Sequence, residues 1–276
     1  MKGLPRLSSM AAHGFLWVAV VFSVFPFVWM VLTSARASGE AFDLTSTFWV
    51  GDWRAAENYA RALTETPILR FLANGVIVCG TILFFQIATA LPCAYALAKL
   101  RFRGKGFLTV LIVVSLTVPF QAVALPLFVG LAELRLLDSY FALVIPFVVS
   151  FFAILLLSQF LRGYPDEVIE AARLDGFSEA SILWRLILPA SLPAVAAFSI
   201  FSVSYHWNDL YWPLIVVSSL DLAPPTLGIL FFRDAEGGDS LGPLMAAAAM
   251  ITAPLLLLFL FAQRRFVQGV SMSGLK

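Results

Sequence analysis

Glu170-Ala171-Ala172-Arg173-Leu174-Asp175-Gly176, continued as Phe177-Ser178-Glu179 and closed by Leu186-Ile187-Leu188-Pro189, is the longest well-patterned polar insertion in an otherwise lipid-soluble chain. Pro165 is placed to open a helix, where its missing N–H costs nothing, and Asp166 and Glu167 put negative charge in the first turn, where the helix dipole favours it. Gly176 supplies a positive-φ residue to end that helix about ten residues later. Ser178 can cap a second helix, with Phe177 and Ile182 spaced as a hydrophobic staple around it. The pattern predicts a short helix, a tight turn and another helix between two membrane spans. Such a segment is too short for a domain and the right size for a knob in a partner's socket. The plainer alternative is an amphipathic loop that only joins two spans.

The surrounding composition makes this an integral membrane protein. Hydrophobic residues make up 61% of the chain and charged residues 13%, and the mean hydropathy is +0.91. The formal charge of +1 is uninformative, because the charges are segregated along the chain. Cys79 and Cys93 fall in one apolar run and read as small packing residues rather than a disulfide or metal pair. Two histidines leave no histidine-rich metal site.

The expected fold is all-α, a single transmembrane domain over 1–276 with six transmembrane helices. Spans are placed at about 14–34, 71–98, 106–132, 139–161, 190–217 and 243–263, with the polar loop at 163–189 between the fourth and fifth. Ala35-Arg36-Ala37 resembles a signal-peptidase site, but the apolar run before it is longer than a signal core, so it reads as a retained first span. Residues 35–70 form a mixed-charge outer loop with turn-like clusters at Trp49, Gly51 and Trp53. Orientation follows from the basic residues. With both termini inside, Lys2, Arg6, Lys99, Arg101, Arg103, Lys105, Arg162, Arg173, Arg185, Arg264, Arg265 and Lys276 are cytoplasmic, twice the number left outside. Prolines at 26, 92, 119, 126, 146, 213 and 254 interrupt the spans; each alone reads as a packing kink, yet together they suit a transporter better than a rigid anchor.

The loop resembles the EAA loop of ABC-importer permeases, whose pattern is Glu-Ala-Ala, three residues, Gly, nine residues, Ile, one residue, Leu-Pro. Glu170-Ala171-Ala172, Gly176 and Leu188-Pro189 fall on it; Leu186 replaces the Ile, and Phe177 stands where a small residue is commoner. The resemblance covers nearly the whole chain and narrows to the carbohydrate-type, MalG-like permeases. It includes Asn74, Ala94-Tyr95-Ala96-Leu97-Ala98 running into Arg101-Phe102-Arg103-Gly104, and Leu137-Asp138-Ser139-Tyr140. Trp207-Asn208-Asp209-Leu210-Tyr211-Trp212-Pro213-Leu214 and Gln263-Arg264-Arg265-Phe266-Val267-Gln268-Gly269 complete it.

That resemblance implies a coupling helix docking into an ATPase subunit, a second homologous permease, an ATPase dimer, an extracytoplasmic solute-binding protein and a bacterial cytoplasmic membrane. Expected coupling residues are Glu170, Ala171, Ala172, Asp175, Gly176, Leu188 and Pro189. Glu170 would offer a carboxylate to the socket, the two alanines close approach, and Gly176 the angle between the short helices. Arg173 and Asp175 read as solvated or locally paired. No phosphate-binding loop of the form G-x-x-x-x-G-K-[S/T] occurs, so the chain itself is no ATPase of that kind, and ATP and Mg would belong to the partner subunits. Catalytic and metal-binding residues are not expected, and neither is a nucleic-acid partner.

Ser204, Asn208, Asp209 and Tyr211 are candidates for the solute path. Ser204, Asn208 and Tyr211 fall on one face of a continuous helix, and Pro213 would free the carbonyl of Asp209. An interfacial aromatic belt with Asp209 capping or pairing is the competing account. An ion-coupled secondary transporter of a small polar solute is the alternative function, with His13, His206 and Asp209 as its ionisable candidates. That alternative leaves the polar loop without a role. An intramembrane enzyme would need ligand or nucleophile pairs that this sequence lacks. The solute itself is not legible, although sugars, polyols and related compounds are what similar permeases handle.

Overall fold

A computed structural model describes residues 6–37, 52–235 and 241–273, with side chains at 11–37, 52–233 and 241–261. Trp49, Gly51, Lys2 and Lys276 lie outside these residues. The described residues are helical, with no strand among them. In order they are α1 (Arg6–Ser34), α2 (Ala55–Glu65), α3 (Ile68–Lys99), α4 (Lys105–Ser115), α5 (Phe120–Glu133), α6 (Tyr140–Val144) and α7 (Phe151–Arg162). There follow α8 (Asp166–Leu174), α9 (Glu179–Ile182), α10 (Leu188–Trp207), α11 (Tyr211–Val216), α12 (Pro225–Ala235) and α13 (Leu241–Ser273).

Four helical stretches are long and apolar enough to cross a membrane: Ala11–Ser34, Ile68–Lys99, Glu179–Trp207 and Leu241–Phe261. Two helix pairs pass only when each is counted as one broken span, α4 with α5, bent by 93°, and Tyr140–Phe147 with α7, bent by 44°. The uninterrupted runs expected at 106–132 and 139–161 are therefore broken. Pro119 is extended, with ψ of 138°, and a proline disfavours helical conformation in the residue before it, so α4 stops and α5 restarts in a new direction. At the second break Pro146 lies in a 3₁₀ turn, and the Ser150 hydroxyl caps α7 by accepting from the Ala153 N–H at 3.2 Å. Pro26, Pro92, Pro126 and Pro254 leave their helices continuous.

The expected fifth helix also differs. It runs without interruption from Glu179, passes through a π turn at Leu183–Ile187, and stops at Trp207 rather than continuing to 217. The Leu188 N–H reaches back to Leu183 O, the wide π spacing, where Pro189 and Pro193 both lack the donors that an α ladder would use. Asn208 ends α10 by donating from Nδ2 to Ser204 O at 2.8 Å. Asp209 Oδ1 then accepts the N–H groups of Tyr211 (3.0 Å) and Trp212 (3.4 Å) and starts α11. Pro213 lies in the first turn of α11, where no donor is needed, so it does not open the Asp209 carbonyl.

The chain divides into two compact units. The first comprises 1–69 with 229–253. In it Asn58 Nδ2 donates to Ser34 O (2.9 Å) and Arg36 O (2.7 Å), pinning the segment that follows α1 to α2. Ala35 and Arg36 are buried there, Arg36 pairs with Trp53 in an isolated antiparallel bridge, and its guanidinium lies 5.6 Å from the centroid of the Trp29 ring.

The second unit comprises 70–228 with 254–276 and holds the loop and the cavity described below. Its core joins Ala90, Leu91 and Ala94 of α3 to Ala153, Leu157 and Leu161 of α7 and to Ala194, Val195 and Phe198 of α10. At one end α3 is tied by Asn74, which donates to Asp221 O and Ala223 O at 3.0 Å each and accepts from Tyr140 Oη at 2.6 Å. Gly75 permits the approach: a Cβ there would fall 2.6 Å from Pro225 Cγ and 3.1 Å from Trp207. Asp138, at φ 52°, takes the Ser218 and Ser219 N–H groups and the Ser219 hydroxyl on one carboxylate oxygen. Desolvation opposes its ionisation, but these hydrogen bonds together hold its carboxyl below the usual range.

Candidate functional site: the polar loop and the cavity at the helix breaks

The loop is built as the sequence predicts, with one refinement: Pro165 is the extended cap before α8 rather than its first turn. Gly176 has φ 84°. Its N–H bonds to Arg173 O at 3.0 Å and that of Phe177 to Ala172 O at 3.0 Å, the paired bonds of a Schellman ending. Ser178 accepts from the Ser181 N–H at 3.3 Å and starts α9. Arg173 Nε closes the turn by donating to Glu179 Oε1 at 2.7 Å, the local pairing that was one expectation for this residue.

One face of α8 is sealed. Ile169 and Ala172 are buried in the same core as Ile182, Leu183 and Ile187. Ala172 therefore serves the loop's own packing, leaving Ala171 as the small exposed residue. The opposite face carries Glu167, Glu170, Ala171 and Leu174, all exposed and recurring at helical spacing. Leu174 is 89% exposed, an apolar side chain at the tip that sequence reasoning missed; its position one residue ahead of the C-cap and two ahead of Gly176 was the available signal. Asp175 is exposed at the C-cap, while Leu188, half-buried, and Pro189 shape the π turn rather than the tip.

Two residues of α3 hold the loop, and neither was given this role from the sequence. Tyr95, 3% exposed, donates from its hydroxyl to Glu179 Oε2 at 2.6 Å. Four residues on, Lys99 donates to Tyr164 O and pairs with Asp166 at 2.6 Å, which holds the Asp166 carboxyl below its usual range.

Farther along α3, Gln86 borders a cavity of about 670 Å³ inside the second unit. Gln86 accepts from the Ser202 hydroxyl at 2.6 Å, donates to Phe147 O at 3.0 Å and meets His206 Nε2 at 3.3 Å. None of the four expected path residues lines this cavity; the α10 residues that do are Phe198, Phe201, Ser202, Tyr205 and His206. Asn208 and Asp209 are engaged in ending α10 and starting α11. Tyr211 reaches the wall only through Phe120, with ring centroids 6.4 Å apart. The side chains of His206 and Asp209 thus make separate contacts, His206 with Gln86 and Asp209 with the N–H groups of Tyr211 and Trp212. No group of three His, Cys, Asp or Glu that could hold a metal occurs among the described residues.

A fold of apolar spans and broken helix pairs with one clamped polar knob is that of a transport permease. The family model for the binding-protein-dependent transport system inner membrane component matches residues 86–272, and the chain belongs to that family. It is 30% identical to the arabinooligosaccharides transport system permease protein AraQ of Halalkalibacterium halodurans over 277 residues, covering 100% of this chain and 99% of that one. It is 31% identical to the diacetylchitobiose uptake system permease protein NgcG of Streptomyces coelicolor, covering 93% of this chain and 84% of that one. The fold matches a bacterial ABC transporter involved in the import of the acidic polysaccharide alginate, with TM-score 0.82 and 20% identity over 96% of this chain and 100% of that chain. The protein is a permease subunit of the binding-protein-dependent transport type, an inner-membrane component and not an enzyme.

Proposed function

We propose that the chain forms half of the translocation path of an ATP-driven importer, paired with a second permease and fed by an extracytoplasmic binding protein. Its loop 163–189 docks into a separate ATPase subunit that holds the ATP and Mg. The observation that carries this is the two-faced knob: Ile169 and Ala172 fix α8 to the core, while Glu167, Glu170, Ala171 and Leu174 face outward, exposed. An apolar tip ringed by carboxylates suits a cleft that is apolar at its base and basic at its rim. On this reading both termini lie in the cytoplasm, which the distribution of basic residues supports.

The solute is an oligosaccharide or a similar hydroxyl-rich compound, by analogy with the compounds named for the two permease relatives. The mechanism is alternating access: closure of the ATPase pair draws the knobs together and opens the path outward. Leu174→Asp tests the reading, because Leu174 is almost fully exposed and its replacement spares the fold. The ATPase should then fail to co-purify and uptake should stop at normal membrane levels. Intact co-purification and uptake would remove the loop from the docking role.

A further inference from the structure

Both broken helix pairs open onto the same cavity. Its wall takes Ser115 and Leu116 from the end of α4, Phe120 from the start of α5, and the stretch around Ser150 from the second break. Broken helices are tolerated at membrane depth where other groups take up the freed backbone, and transporters place solute sites at such breaks. Here α3 does the first: Gln86 donates to Phe147 O at 3.0 Å, and the Thr89 hydroxyl lies within hydrogen-bond reach of both Val148 O (3.0 Å) and Phe85 O (2.8 Å).

The lining has two chemical characters. Six phenylalanines and Tyr205 supply aromatic surface, and none of the eighteen lining residues is Asp, Glu, Lys or Arg. Against that wall lies a buried polar trio, Gln86, Ser202 and His206. The Phe147 carbonyl can only accept, so it fixes the Gln86 amide with Nε2 toward Phe147. Oε1 therefore faces Ser202, which must donate, and the second amide hydrogen faces His206 Nε2, which must accept. That assignment leaves His206 neutral with its proton on Nδ1. Ser150 Oγ, already accepting from Ala153, keeps a free O–H, while Ser115 donates to Leu111 O and keeps acceptor capacity. The result is a mixed donor and acceptor set without charge.

We propose that this cavity is a solute subsite for an uncharged saccharide unit. A sugar ring presents apolar C–H faces to aromatic walls and a rim of hydroxyls that both donate and accept. The volume falls in the range of small-molecule sites, about 300–1,000 Å³. An anion would lose its hydration here with no cation in return. The assignment rests on the importer reading and adds to it which part of this chain meets the solute and which charge class is refused.

The test uses the assembled transporter in lipid nanodiscs. Phe201→Cys, at the exposed rim of the wall, is made in a Cys93→Ser background, Cys79 being buried. Maleimide labelling is timed with maltotriose, raffinose or arabinotriose, and with sn-glycerol 3-phosphate or trigalacturonate at equal concentration. At least one neutral sugar should slow labelling several-fold and neither anion should; Ser202→Ala should weaken that protection. Val76→Cys, exposed on α3 away from the cavity, should show none. Failure of every neutral sugar, equal protection by the anions, or equal protection at Val76 overturns the proposal. So does labelling that changes only with the surrounding lipid, which would make an acyl chain the occupant. Co-purification of the ATPase with the wild-type chain tests the importer reading separately, so either can fail alone.

Discussion

Tyr95→Phe removes a single oxygen from a side chain that is 3% exposed and leaves its ring in the core cluster that also holds Leu91 and Ile169. Packing is kept, and what disappears is the 2.6 Å hydrogen bond to Glu179. A hydrogen bond to a charged acceptor contributes about 1.5–3 kcal/mol when the acceptor is left dry. Glu179 is about half exposed and keeps Arg173 on its other oxygen, so water can replace the lost donor and the loss falls to about 1 kcal/mol. That corresponds to roughly a fivefold rise in the population of loop-open states. Hydrogen exchange on the purified transporter reads it directly: amides of α8 and α9 should exchange about fivefold faster, with those of α7 unchanged. Stimulation of the ATPase by loaded binding protein should fall while the complex still assembles. Exchange in α8 and α9 indistinguishable from wild type would refute the claim that α3 holds the knob. Ile182→Ala is the contrast: it deletes a fully buried side chain and should cost about 2–5 kcal/mol, lowering whole-protein stability instead of loosening the loop alone.

Gly176→Val forces a β-branched residue to φ 84°, at a local cost of about 1–2 kcal/mol; the protein should insert normally yet lose uptake, and normal uptake at normal expression would exclude the turn from coupling. Asp138, whose carboxyl is held low, stabilises its link to Ser218 and Ser219 above the ordinary carboxylate pKa, and that stability is lost only as pH falls below this value, through the depressed folded pKa. The amide chemical shifts of Ser218 and Ser219 should hold through neutral pH and move only in strong acid, whereas Asp138→Ala should move them at pH 7; a transition near neutrality would contradict the assignment. In a Cys93→Ser background, a cysteine at Gly104 should be reached only by reagents inside the cell and one at Leu220 only from outside, and the reverse pattern would invert the topology.

The loop was legible because its instructions are local. Gly176 and Ser178 act within a few residues, and each does what its chemistry requires, whereas Ala172, expected beside Ala171 at the docking surface, turns into the core. The class of protein followed from composition and from the same motif. The breaks were less legible. In a span that is apolar on every face, hydrophobic periodicity does not mark where a helix changes direction, so the sharp bend before Pro119 looked no different from the continuous passage through Pro92 or Pro126. Pro213 drew attention that belonged to Asn208 and Asp209, whose side chains end one helix and begin the next. The cavity was out of reach altogether: Gln86 meets Ser202 and His206 from 116 and 120 residues away, and nothing local to any of them announces the pairing. Tyr95 stood in a recognisable motif without an evident task until Glu179 was found against it.

The π turn at Leu183–Ile187 carries a further consequence. A π turn holds about one residue more than an α turn, and each residue of a helix advances its side chains by about 100°. Loss of one residue there, with return to regular α winding, would rotate Phe198, Ser202 and His206 by that angle relative to Gly176 and the face of α8. Knob and cavity are thus phased against each other through a short segment, much as two gears are keyed on one shaft. Substitutions at the exposed Trp184 and Arg185 should be tolerated, while single-residue deletions or insertions should be lethal to transport even though hydrophobicity, charge and helix length are all but unchanged.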